Sequence, residues 1–367
     1  MKKVLFTAST YSHICNFHLP YLRAFQEHGV TVHAACGGKE REIPFTDRVF
    51  HLPLEKSMAA PGNFRAAKML REEIKKEGYD LVVAHTSLAS FFTRLALMGM
   101  AGRPKMIVMS HGYLFDDDTP IVKRTVLLTA EKLMTGVTDL LLTMNAWDTA
   151  MARRYRLCKR IEPIPGVGVD FSRLDGLRTD GTLRGKYGIP EDAFVLVYAA
   201  EFSGRKSQAV LIRAMASLPE RAVLALPGEG DLLEECKTLA NQLGVEKRVI
   251  FPGHVDSMAD WYAMADGAVS SSRSEGLPFN VMEAMYCGLP MVVSAVKGHV
   301  DLIQDGVTGL LYPYGDEKAC AGRIRRLMED DGLRRSLAEN ARAEAEQYSL
   351  EKVFPQVMEQ YWNMLTE

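Results

Sequence analysis

Two doubly wound α/β domains are the architecture this sequence predicts, on three observations. Short, continuous apolar strands alternate with amphipathic helical stretches, as in parallel sheets covered on both faces. The alternation comes as two successive series rather than one. A Gly- and Pro-rich segment, PIPGVGVDFSRLDGLRTDG, separates them and reads as an interdomain connection. The chain has 367 residues, 47% hydrophobic and 25% charged, enough for two cores of ordinary composition.

In chain order the first series holds KVLFTAS, GVTVHAAC, DLVVAH, KMIVMSHG and TDLLLTM. The second holds AFVLVYAA, RAVLALPG, KRVIFPG, DGAVSSS and LPMVVSA. Each run is short and rich in β-branched residues, and helical periodicity follows it. This places an N-terminal domain at 1–165 and a C-terminal domain at 166–349. The end, YSLEKVFPQVMEQYWNML, is amphipathic with a proline interruption, so a helix over 350–367 is expected to pack back on the N-terminal domain. There is no repeat of 20–50 residues and no low-complexity segment.

Composition excludes several classes. The cysteines at 15, 36, 158, 236, 287 and 320 are far apart, without a CxxC pair, so a zinc framework or disulfide scaffold is not expected and a reducing cytoplasm is. MKKVLFTASTYSH starts like a signal peptide, but its apolar run is short and lacks a small-residue cleavage site. No run of about 18 uncharged apolar residues could span a bilayer. Net charge is −2, yet residues 1–165 carry 23 Lys and Arg against 16 Asp and Glu, and the remainder 21 against 30. A basic half suits an anionic partner. MARRYRLCKR, from Met151 to Arg160, fits a nucleic acid, an anionic membrane or simply a solvated helix face.

Chemistry concentrates in SRSEGLPFNVMEAMYCGLP, Ser272 to Pro290. Pro278 suits a first helical turn and Gly288 a helix stop. Phe279, Met282 and Met285 form one apolar stripe, Val281 and Ala284 a second, so the helix is buried and Glu283 needs hydrogen-bond donors. Glu275 sits just ahead of the helix, whose free N–H groups favour an anion. The order is acceptor, anion-binding amides, acceptor. A nucleotide sugar presents the complement: sugar hydroxyls to Glu275, diphosphate to the Gly276, Leu277, Pro278, Phe279, Asn280 turn, ribose hydroxyls to Glu283. Alternatively, Glu275 complements the helix dipole and Glu283 pairs with a buried arginine.

The stretch EGLPFNVMEAMYCGLPMVVSAVKGHVDLIQDGVTGLLYP, with its glutamates eight positions apart, resembles the donor-site motif of retaining family 4 glycosyltransferases of the two-domain GT-B fold. SHICNFHLPYLRAFQEHGVTVHAAC, SHGYLF, PIPGVGVDFSRL and EFSGRKSQAVLIRAM resemble bacterial members that build capsular, exopolysaccharide or O-antigen units. The resemblance implies two Rossmann-like domains with a cleft between them. Glu275 is then the contact to the donor sugar, Glu283 to the ribose and Lys206 to the diphosphate. Glu201 stands where the family pattern has an arginine, and Arg205 is the substitute second cation. His111 is the implied partner of the donor sugar from the N-terminal domain; a core histidine bonded to backbone is the alternative. Arg205 and Lys206 also suit a solvated helix start. Gly253, His254 and Val255 hold the nucleobase by resemblance only. Ser12, His13 and Asn16 sit where the first strand turns into its helix: an acceptor or phosphate contact for His13, or plain N-capping by Ser12 or Asn16.

Two signals fail. Asp116, Asp117 and Asp118 contain a DxD, better read as an exposed acidic loop than as a metal site. GEGDLL mimics a dinucleotide loop, but Leu233 replaces the third glycine. The resulting expectation is a metal-independent, retaining transferase without cofactor. It moves a hexose or N-acetylhexosamine from a nucleotide sugar, UDP in preference to GDP, to a polyprenyl-diphosphate-linked glycan. The chain would be cytoplasmic and peripheral at the inner face of a bacterial cell membrane, with no nucleic acid partner. The rivals are a nucleotide-sugar 2-epimerase and a non-catalytic nucleotide-sugar-binding partner of a transferase.

Overall fold

The computed structural model describes residues 1–175 and 182–367; the last residues of the predicted connection, 176–181, lie outside it. The chain divides into two compact units, Met1–Gly168 with Glu351–Glu367, and Val169–Leu350.

In the first unit seven parallel strands form one sheet, in the order β3-β2-β1-β4-β5-β6-β7. They are β1 (Lys3–Ala8), β2 (Thr31–Cys36), β3 (Arg48–His51), β4 (Leu81–His85), β5 (Lys105–Ser110), β6 (Leu140–Thr143) and β7 (Ile161–Pro163). The helices are α1 (Tyr11–Phe17), α2 (Leu19–Glu27), α3 (Pro61–Glu77), α4 (Ser87–Leu97), α5 (Ile121–Leu133) and α6 (Ala146–Tyr155). β4, sequence LVVAH, is buried at every position, which is why it reads as a continuous apolar run rather than an alternating one.

The second unit repeats the plan with six parallel strands in the order β10-β9-β8-β11-β12-β13. They are β8 (Phe194–Val197), β9 (Ala222–Ala225), β10 (Val249–Ile250), β11 (Gly267–Ser270), β12 (Met291–Ser294) and β13 (Leu310–Tyr312). Its helices are α7 (Thr182–Lys186), α8 (Gln208–Met215), α9 (Leu233–Gln242), α10 (Ala259–Met264), α11 (Phe279–Tyr286), α12 (Glu317–Glu329) and α13 (Asp331–Ala345). In both units strand order reverses beside the first strand, so each has a switch point: β1/β4 in one, β8/β11 in the other. Ligand sites of open α/β sheets lie beyond the carboxyl ends of the strands at such points.

The last helix, α14 (Leu350–Thr366), contains Pro355 and belongs from Glu351 onward to the first unit. Tyr361 and Trp362 pack on Phe25 of α2, with ring centroids 6.0 and 4.8 Å away. Arg160 donates to Glu367 at 2.6 Å.

Candidate active site

At the switch point of the second unit, the loop after β8 delivers Arg205 and Lys206, and the loop after β11 delivers Glu275. Glu275 is 7% exposed. It accepts from Lys206 Nζ at 2.5 Å and Arg205 Nη1 at 2.7 Å. Burial alone would raise its pKa, but the two cations override it and hold the carboxyl at about 2. The lysine is itself fixed, because Ser271 Oγ donates to its carbonyl at 2.9 Å. Gly298, at φ 81°, presses on this loop: a Cβ there would meet Glu275 Cβ and Gly276 O at 2.8 Å. Only glycine fits that turn. Beneath it His299, fully buried, contacts Ser270 Oγ and Ser294 Oγ, both at 3.1 Å, and burial lowers its pKa to about 4.

Pro278 caps α11 rather than entering its first turn, with an extended φ of −77° and ψ of 122°. A proline N-cap brings no side-chain acceptor, so the first amides of the helix gain no cap hydrogen bond from residue 278. Asn280 Nδ2 donates to Ala199 O at 2.9 Å, tying the start of α11 to the loop after β8. Residues Val281 to Met285 are all buried. Within that run Glu283 accepts from Tyr262 Oη at 3.0 Å and pairs with Arg173. Burial raises its pKa, against the lowering pull of Arg173 and the tyrosine. The alternative reading supplied a buried arginine for Glu283; the arginine present is 60% exposed, so its pairing competes with water and is weak.

The predicted residues thus fall into separate groups. Arg205, Lys206 and Glu275 are in contact, and Glu283 joins Arg173 and Tyr262. Gly253, His254 and Val255 follow β10, where Gly253 O accepts from the Gly228 amide at 2.8 Å. The GEGDLL loop serves its neighbours: a Cβ on Gly228 would lie 2.1 Å from Ala200 O. Glu201 is exposed. The acidic loop is as expected, with Asp116 accepting from Thr119 and Asp117 from Arg124 and Trp147.

His111 and His13 belong to the first unit. His111 follows β5, and its Nε2 lies 3.3 Å from His13 Nε2 and 3.3 Å from His85 Nδ1. His18 Nε2 is 3.3 Å from His13 Nε2. The expectation that Ser12 or Asn16 caps this helix is corrected. Thr10 is the N-cap, accepting from the His13 amide, because the helix already begins at Tyr11. Ser12 instead donates to Thr10 Oγ1 at 3.1 Å, and Asn16 is exposed.

Sequence reasoning missed Arg173, Tyr262, His18, His85 and His299. Two of these carried a usable signal. His85 ends the strand LVVAH, and His18 shares SHICNFH with His13, both at carboxyl ends. Arg173 and Tyr262 reach Glu283 from 110 and 21 positions away, with no local pattern.

Comparison with known proteins agrees with this frame. The family model "Glycosyltransferase Family 4" matches residues 21–173, and "Glycosyl transferases group 1" matches 180–344. A Bacillus subtilis (strain 168) protein named "Putative glycosyltransferase EpsD" is 34% identical over 95% of this chain and 93% of its own length. The chain belongs to glycosyltransferase family 4. Solved structures show the fold as GT-B. Sucrose-phosphate synthase from Thermosynechococcus elongatus superposes with a TM-score of 0.82 at 20% identity, covering 100% of both chains. Anabaena HepE in complex with UDP and glucose gives 0.80 at 20% identity, covering 99% of this chain and 100% of that one.

Proposed function

We propose that this glycosyltransferase moves a hexose or N-acetylhexosamine from a UDP-sugar to an acceptor hydroxyl with retention of configuration. The observation that carries the reading is the triad of Arg205, Lys206 and buried Glu275 beside the start of α11. A carboxylate held ionised by two cations can accept sugar hydroxyl hydrogen bonds. The same cations and the α11 amides can neutralise a diphosphate without a divalent ion. Glu283, whose solvent-facing partner Arg173 is displaceable, offers acceptors to ribose hydroxyls. The HepE structure holds UDP and glucose in the same fold, which favours UDP.

In the proposed reaction the acceptor oxygen bonds to the anomeric carbon as its bond to the diphosphate oxygen breaks. The acceptor proton passes to the departing diphosphate on the same face. Lys206 and Arg205 stabilise the leaving charge where it develops, the kind of contact that carries most catalysis of this type.

The acceptor in this reading is a lipid-linked glycan at the inner face of a bacterial membrane. No described helix is long and apolar enough to cross a membrane, but α5 suits its surface. It buries no residue, and Ile121, Val122, Val126 and Leu133 are 62–74% exposed. Lys123, Arg124 and Lys132 flank them, the composition of an interfacial helix. Arg94, 2% exposed on α4, pins it with bidentate bonds to Glu131 at 2.8 and 3.0 Å. The basic segment Met151–Arg160 covers the end of α6 and the turn to β7, with Arg153, Arg154 and Arg156 exposed and Arg160 engaged by Glu367.

The test is turnover of a panel of UDP- and GDP-sugars with a lipid-linked acceptor, with the product anomer read by NMR. UDP release with one sugar and an unchanged anomeric configuration is expected. Interconversion of the donor sugar without acceptor would favour the epimerase, and inversion would remove the proposed mechanism.

A further inference from the structure

Four histidines of the first unit make a cluster that the proposed donor site does not use. We infer that His13, His18, His85 and His111 bind one divalent first-row transition-metal ion of the zinc type. The four come from α1, the α1–α2 junction, the end of β4 and the residue after β5, converging on the β1/β4 switch point. One ring nitrogen from each lies within 4.8 Å of the others.

Hydrogen bonding alone does not account for this arrangement. His13 Nε2 faces both His18 Nε2 and His111 Nε2, and His111 Nε2 faces both His13 Nε2 and His85 Nδ1, all at 3.3 Å. An imidazole nitrogen carries either one proton or one lone pair. Each such nitrogen can complete one of these bonds, so at most two of the three contacts are full hydrogen bonds. A shared cation resolves the conflict, because every inward nitrogen then presents a lone pair. Two nitrogens about 2.0–2.1 Å from one tetrahedral zinc stand about 3.3–3.4 Å apart, the spacing of the three contacting pairs.

Chemistry supports the same ligand. Neutral imidazole is the form that binds metal. An all-imidazole set suits zinc, copper or nickel rather than magnesium or calcium. His18 and His85 are fully buried and His13 and His111 half-buried, so the ion has a way in. Metal on His111 Nε2 would fix the proton on Nδ1, making that nitrogen a defined donor.

The test uses the full chain, stripped with a chelator and titrated with Zn²⁺ by calorimetry and with Co²⁺ by visible absorption. One ion per chain and the intense bands of tetrahedral Co²⁺ are expected. His13→Ala and His111→Asn, at half-buried positions and checked for folding by circular dichroism, should each weaken binding at least about 10-fold, while His51→Ala should not. Absence of stoichiometric binding, or binding that both cluster variants leave intact, would overturn the inference. UDP binding is measured in parallel, so failure of the donor-site reading leaves this result standing.

Discussion

The two units answer the same topological question with opposite chemistry. In each, residues from the loops after the first, fourth and fifth strands in sequence gather at the switch point. After β1 come His13 and His18; after β8 come Arg205 and Lys206. β4 ends in His85, while β11 leads to Glu275. After β5 stands His111, and after β12 Gly298 and His299. One unit thus collects neutral imidazoles and the other an ion-paired carboxylate. The backbone decides where a site is, and the side chains decide what it binds.

The largest contrast should be in turnover. Lys206→Ala leaves Glu275 with Arg205 alone and removes the fixed cation, so transfer should fall about 10²–10³-fold, measured by UDP release. If the charged site were merely structural, stability would drop while the residual folded enzyme kept its rate.

Acid stability should separate the two glutamates in sign. The carboxyl of Glu275 titrates at about 2 instead of 4.5, so its stabilisation is present above pH 4.5 and is lost as pH falls toward 2. The linkage amounts to at most about 3 kcal/mol, and Glu275→Gln should abolish that dependence in pH-resolved denaturant melts. Glu283 is shifted upward by burial, so it favours the folded state at low pH and costs stability as pH rises through its folded pKa. Glu283→Gln should hold or raise the melting temperature at pH 7 while weakening UDP-sugar binding. A loss of stability would mean that the Arg173 pair outweighs burial.

The smallest effect on the fold belongs to α5. Val122→Asp should leave unfolding within about 0.5 kcal/mol yet reduce co-sedimentation with anionic vesicles about 10-fold, since burying one such side chain is worth about 1.5–3 kcal/mol. Unchanged sedimentation would remove the membrane role of that helix.

Much of this was legible in the sequence because parallel strands are buried on both faces. LVVAH, FVLV and MVVS announce themselves as uninterrupted apolar runs. Glu275 and Glu283 were visible because a charge inside an apolar helix, or just before it, requires a partner. What the sequence hid is long-range. Arg173 reaches Glu283 only after folding, and four histidines spread from position 13 to 111 become neighbours only when β4 and β5 line up beside β1. The helix starts were also less legible: Thr10, not Ser12 or Asn16, caps α1, because three hydroxyl or amide residues in seven offered equal local signals.

The most direct test of the account is calorimetric titration of UDP into the wild-type chain, Lys206→Ala and Glu283→Ala. Saturable binding by the wild type, weakened at least about 10-fold in both variants, is the predicted result. Absence of binding by the folded wild type, or equal binding by all three, would contradict a donor site built on these residues.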